Sequence, residues 1–180
     1  RYAELLHERA VSLKRYGVIR LATKACNTLT DLDSDSPIVS RYKADAYHML
    51  GDLEENDERY EQAIQVYDTL LHSDPDNSEL LAEKGLVLDN LRRFAEAETV
   101  LDRALELDPV SGVAHSALCW CLSSLGRHDE AVTHGNQAII LMPDEWGAWN
   151  NRGLSKLGLR DLEGAVSNFR RASRCQPGEV

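Results

Sequence analysis

The side chains equipped for chemistry are four cysteines, Cys26, Cys119, Cys121 and Cys175, six histidines, and 30 Asp and Glu residues. Thiolates and imidazoles could ligate a metal, paired thiols could oxidise, and paired carboxylates could act as general acid and base. Spacing argues against each. On a helix, Cys119 and Cys121 point about 200° apart, so they can neither close on one metal nor pair easily as a disulfide. His115 and Cys119 stand at i and i+4 but fall on apolar columns, which predicts a packing role. No ligand-spaced cluster, phosphate-cradling glycine loop or nucleophile elbow is present, so no cofactor, metal or catalytic activity is expected. The carboxylates recur at helix-surface spacing, and four reduced thiols suit a cytoplasmic setting.

Charge is unevenly placed. Residues 1–43 carry +3, residues 44–111 carry −13 and residues 112–180 are neutral, which together give the net −10. An acidic middle repels phosphate backbones and anionic lipid, which disfavours nucleic acid and membrane as direct partners. No apolar run approaches the roughly 18 residues of a membrane span, and no signal peptide opens the chain. The start at Arg1 without an initiator Met, and the end just past Pro177, lead us to expect a piece of a longer protein.

The elements that must position these groups are set by a period. Pro75, Pro109, Pro143 and Pro177 stand 34 residues apart, and a proline recurring this way stops a helix at the same point of every unit. With each Pro at position 32, units span 44–77, 78–111, 112–145 and 146–179. Position 8 then reads Gly51, Gly85, Cys119 and Gly153. Position 20 reads Ala63, Ala97, Ala131 and Ala165, and position 27 reads Leu70, Ala104, Ala138 and Ala172. Small residues occupy slots where helix axes come close. These columns resemble the tetratricopeptide repeat (TPR), on the strength of Leu50-Gly51, Tyr60, Ala63, Tyr67 and Pro75 in the first unit and Trp149, Gly153, Ala165, Phe169, Ala172 and Pro177 in the fourth. The departures are Lys84 and Arg152 at position 7, Cys119 at position 8, and Gly135 where an aromatic is usual at position 24. A glycine inside a helix costs about 1 kcal/mol relative to Ala and predicts a locally soft third repeat.

The resemblance implies an all-α fold, a right-handed superhelical solenoid of antiparallel helix pairs forming one domain over 1–180. First helices are expected near 45–57, 79–91, 113–125 and 147–159, and second helices near 60–73, 94–107, 128–141 and 162–175. Residues 3–32 read as a degenerate repeat, with Leu6, Ala10, Leu13, Ile19, Ala22, Cys26, Leu29 and Leu32 on apolar columns and Gly17 at the turn. Residues 33–43 then read as a linker, because Asp33-Ser34-Asp35-Ser36-Pro37 is rich in turn formers.

In TPRs the first helix of each pair lines the inner wall. At 100° per residue, positions 2, 5, 6, 9, 12 and 13 share one stripe of about 80° either side of position 2. The stripe predicts a partner-binding face of Asp45, His48, Met49, Asp52, Glu55, Glu79, Glu83, Leu86, Asp89, Asn90, Trp120, Asn150, Asn151 and Leu154. Its six carboxylates, with no Lys or Arg among them, are expected to pair with a basic or basic-apolar segment of a partner protein. The Asn amides would hold the ligand backbone, and Trp120 and Leu154 an apolar side chain. Trp149 falls at core position 4, and Trp146 opens a helix with no assigned role. TPR proteins that clamp the acidic tails of heat-shock chaperones use Lys, Asn and Arg at set positions. This sequence offers His48, Asp52, Glu83, Val113 and Ala117 in one register and Ala82, Leu86, Ala117, Gly147 and Asn151 in the next, so that role is disfavoured. Two alternatives to a free-standing interaction scaffold remain: a regulatory or substrate-recruiting arm of a larger enzyme, as TPR arrays are in some glycosyltransferases, kinases and proteases, or self-association through an uncapped last repeat.

Overall fold

The computed structural model describes residues 1–15, 18–34 and 36–175, and these form ten helices and no strand. Gly17, Asp35 and Pro177, to which the sequence assigned turn and stop roles, lie outside the described residues. The chain divides into two compact units, Arg1–Asp76 and Asn77–Val180.

The first unit holds α1 (Tyr2–Arg15), α2 (Ile19–Thr30), α3 (Pro37–Glu54) and α4 (Asp57–Ser73). Its core gathers Ala10, Cys26, Leu29, Ala46 and Leu50, all fully buried. Ala22 is buried as its column requires, but Ile19, the first residue of α2, is exposed. The proposed linker is shorter than expected. Pro37 opens α3 behind an extended Ser36, because a proline at the first helical position loses no intrahelical bond.

The second unit holds α5 (Ser78–Asn90), α6 (Phe94–Leu107), α7 (Gly112–Ser124), α8 (His128–Leu141), α9 (Trp146–Gly158) and α10 (Leu162–Cys175). Each first helix starts and ends one residue before its expected bounds. Two residues beyond each proline a side chain restarts the helix: Asn77 accepts from the Leu80 amide (3.0 Å), Ser111 from Ala114 (3.3 Å) and Glu145 from Gly147 (3.5 Å). Stop and cap together fix the period. Between the helices of each pair the chain turns through one left-handed residue, Arg92, Gly126 or Arg160, at the same repeat position. The bonds Arg93 N–Leu88 O, Arg127 N–Leu122 O and Asp161 N–Lys156 O close the three turns alike.

Gly135 is not a soft spot. A Cβ there would meet the Arg152 Cβ and the Cys119 Sγ, each at 2.9 Å. In the second and fourth repeats the small residue at position 8, Gly85 or Gly153, faces the large one at position 24, Leu101 or Phe169, which a Cβ would strike at 2.4 and 2.7 Å. In the third repeat the sizes are exchanged, Cys119 opposite Gly135. The two departures from the repeat pattern are therefore linked, the space that Gly135 leaves being taken by Cys119 together with the Arg152 stem.

Gly135→Ala should accordingly destabilise the chain by about 1–3 kcal/mol, although Ala favours a helix interior by about 1 kcal/mol. Adding Cys119→Gly should cost less than the two single changes imply. Urea unfolding of the four proteins of the cycle measures both, and a stabilised Gly135→Ala chain would contradict the size exchange.

Candidate functional site

The acids of the first unit are already engaged. Tyr67 on α4 donates its hydroxyl to Asp45 Oδ1 at 2.8 Å, and His7 on α1 lies 3.3 Å from Asp45 Oδ2. Asp52 receives the Tyr60 hydroxyl at 2.7 Å, is ion-paired with Lys14 of α1, and sits 4.0 Å from His48. Burial works to raise the Asp52 carboxyl, but His48, Lys14 and the Tyr60 hydroxyl together hold it below its ordinary range. Burial drives His48 below the usual imidazole value. Met49 is core. Glu55 is the left-handed residue that ends α3 (φ 50°) and so does not belong to a helical stripe. The expectation of a carboxylate wall without a cation thus fails here, because the degenerate repeat supplies Lys14 and His7 and α4 supplies two phenols.

In the second unit the stripe residues come together. A cavity of about 480 Å³ opens along the first helices. It is lined by Leu86, Asp89 and Asn90 from α5 and by Val113, Ser116, Ala117 and Trp120 from α7. Gly147 and Asn151 from α9, with Met142, Glu145 and Trp146 at the approach to α9, complete it. Asn151 spans the wall, its Nδ2 donating to the Ser116 carbonyl oxygen at 3.1 Å and contacting Ser116 Oγ at 3.4 Å. It therefore ties α9 to α7, where the sequence assigned it to a ligand backbone. Glu79 is exposed on α5 and Glu83 half-buried. Asn150 and Leu154 are half-buried on α9 and fall outside the cavity lining.

Sequence reasoning missed Trp146, Met142 and Glu145. Position 1 lies about 100° from position 2, just outside the stripe, yet the indole of Trp146 is long enough to reach round. Met142 and Glu145 belong to the connection preceding α9, which a helical wheel does not describe. Trp146 is 43% and Trp120 37% exposed, so two indoles face one cavity. Trp149, by contrast, packs against Ala138, Ile139 and Ala148 and donates its Nε1–H to the Pro143 carbonyl oxygen at 2.8 Å.

Asp89 is the anomaly. It is 3% exposed, and neither carboxylate oxygen receives a hydrogen bond of normal geometry, the Cys121 thiol being the one donor beside it among the described residues. Burial pushes its carboxyl up to about 7. The Cys121 thiol opposes that shift without cancelling it, being held by the Phe94 carbonyl oxygen at 3.1 Å. Position 12 is at the edge of the stripe, which turns it toward the neighbouring pair. His115 and Cys119 make separate contacts, His115 Nδ1 with His134 Nδ1 at 3.0 Å and Cys119 Sγ with Ser155 Oγ at 3.6 Å. Among the described residues no group of three or more His, Cys, Asp or Glu is placed to hold a metal, and no helix is long and apolar enough to cross a membrane.

Stacked antiparallel helix pairs with a lined inner face define a helical-repeat solenoid. The Tetratricopeptide repeat family model matches residues 48–112 and 83–141, and the chain belongs to the tetratricopeptide-repeat family. It is 25% identical over 178 residues to the BBSome complex member BBS4 homolog of Drosophila melanogaster, covering 97% of this chain and 35% of that protein. It is 29% identical over 110 residues to Tetratricopeptide repeat protein 33 of Mus musculus, covering 61% and 42%. The chain thus spans less than half of these relatives. Among solved structures, MamA (41-end) from Desulfovibrio magneticus RS-1 superposes with a TM-score of 0.63 at 20% identity, covering 98% of both chains. YrrB, described as a TPR protein with an unusual peptide-binding site, gives 0.60 at 22% identity over 97% of this chain and 86% of its own. At these identities the structures establish the fold.

The Asp89 carboxyl predicts a pH dependence of stability. Unfolded, it ionises near 3.8; folded, it keeps its proton to about 7. Between those values the folded state binds more protons, so stability falls as pH rises, by on the order of 4 kcal/mol across the window, and is flat with respect to this group on either side. Asp89→Asn should remove that fall and be the more stable protein at pH 8. Parallel thermal melts from pH 4 to pH 8 of both chains give the difference; superposable profiles would contradict it.

Proposed function

We propose that this chain is a non-catalytic protein-interaction scaffold whose inner face in the second unit binds an extended, basic-apolar segment of a partner protein. The observation that carries this reading is the cavity between α5, α7 and α9 with Trp120 and Trp146 in its lining. Large, half-exposed aromatics beside Ala117, Ser116 and Gly147 have the composition of an interface anchor, and an apolar side chain laid between them would bury area that both indoles now show to water. Glu79, Glu83 and Glu145 on the same unit give the approach a negative sign, which favours basic segments and speeds their association. Membership of the family, and the peptide-binding site of its structural neighbour YrrB, support a peptide as the ligand class. A second reading, self-association, is favoured by the outer face of α10, where Leu162 is 60% and Val166 47% exposed. Concentration-dependent mass in sedimentation would support it.

Peptides selected from a display library against the chain should lose about tenfold or more in affinity on Trp120→Ala, mainly through faster dissociation. Raising salt should instead slow association as the Debye length falls below about 10 Å. Stopped-flow fluorescence separates the two rates. Selected peptides that bind the Trp120→Ala, Trp146→Ala double variant as well as they bind the unaltered chain would overturn the groove as the ligand site.

A further inference from the structure

We infer that the cavity between α5, α7 and α9 is a receptor for the cationic end of a single Lys or Arg side chain of a bound peptide, with Asp89 as its counter-charge and Trp120 and Trp146 as walls along its stem. This rests on the reading of the inner face as a peptide groove and names what that groove selects. Three observations converge on it. Asp89 is a cavity-lining carboxylate, 3% exposed, with no hydrogen bond of normal geometry on either oxygen; the Cys121 thiol beside it is a weak donor already given to the Phe94 carbonyl oxygen, and buried carboxylates so poorly satisfied are rare enough in folded proteins to require a reason. The lining holds a second carboxylate, Glu145, and no Lys or Arg, so an anionic ligand group is excluded by sign and a cation is not. The remaining walls are apolar apart from small hydroxyls and amides, and two indole faces attract an ammonium or guanidinium while packing its methylenes.

A neutral side chain in this cavity would leave Asp89 as it is, unpaired. A cation changes its state. Both oxygens are covered in this structure, so the lining side chains must part before a cation can reach them, and an attractive charge at that distance favours the ionised carboxyl. Because burial holds the unoccupied carboxyl near 7, binding below that pH expels its proton to solvent. The helices packed on α5 are α6 and α7. From them Asp89 feels the Cys121 thiol of α7, which is itself influenced by Glu98 of α6; Glu145 faces it from the α9 side of the cavity. None of these supplies a competing cation.

The test uses the 180-residue chain and an array of acetylated, amidated peptides, uncharged except at the central residue, each made with Lys, Arg, Gln or Glu there. The Lys and Arg forms should bind about tenfold or more tightly than the Gln form, and Asp89→Asn should bring the forms within about threefold of each other. Asp129→Asn, an exposed acid on α8, should leave the preference intact and so controls for net charge. Independently of any variant, calorimetry of the unaltered chain at pH 6 in buffers of different ionisation enthalpy should show a proton released with the Lys peptide and none with the Gln peptide. If peptides bind and are lost on Trp120→Ala, but central Lys and Gln are equivalent or no proton is released, the groove stands and the cation receptor falls. If no peptide of the array binds, both fall.

Discussion

Everything in the second unit depends on how closely the two helices of a pair approach at the eighth position of the repeat. At Gly85 and Gly153 the side chain of the second helix, Leu101 or Phe169, already occupies the place where a Cβ would be. Such a contact admits one large and one small partner. In the third repeat the order of sizes is reversed, Cys119 opposite Gly135, and the Arg152 stem shares the space beside the glycine. The cost of a glycine in the interior of α8 is thereby offset by a packing arrangement that no larger residue at that site could adopt. In the first repeat the ring opposite Gly51 is that of Tyr60, seven positions earlier in the second helix.

Constant pair geometry is what aligns α5, α7 and α9 and lets their exposed stripes share one cavity. Ala82 and Ala117, the small stripe residues, are buried, so the wall is shallower there and the larger side chains project past it. The first unit follows a different course. Its α3 runs from Pro37 to Glu54, starting and ending early relative to the repeat, and its inward acids are taken up by Tyr60, Tyr67, Lys14 and His7. The same acidic signature in sequence therefore has two physical fates: an internal polar network in the first unit, where a basic degenerate repeat lies alongside, and in the second unit a buried acid, Asp89, in a cavity lining that Glu79 and Glu83 do not share.

This explains what could and could not be read from the residues. The proline period, the alanine columns and the 100° rotation per residue are local rules, and in the second unit they suffice for the second helices, for the first helices to within one residue, and for five residues of the cavity lining, Leu86, Asp89, Asn90, Trp120 and Asn151, with Val113, Ser116, Ala117 and Gly147 on the same stripe. Pairing of Asp52 with Lys14 joins residues 38 apart, and no periodicity encodes which of several cations will reach a given acid. Nor could a helical wheel recover Met142 and Glu145, which belong to a turn. Gly135 was misread because its effect was judged from helix propensity alone, without the cysteine sixteen residues earlier that fills its space.

Asp89 separates the two demands on such a surface most clearly. Its equivalents in the following repeats are Ser123, half-buried, and Leu157, which is 45% exposed, so repeat architecture does not require an acid at this position. A buried carboxyl so poorly partnered works against folding whichever way it is held: ionised it lacks solvation, and neutral it leaves its O–H and C=O without the hydrogen bonds they had to water. Replacing it by an amide would remove the charge whose burial is costly, with no ion pair lost. A residue that packing does not ask for and stability disfavours is one whose return comes only when a second charge arrives, and the indoles of Trp120 and Trp146 stand in the lining of the cavity through which that charge would come.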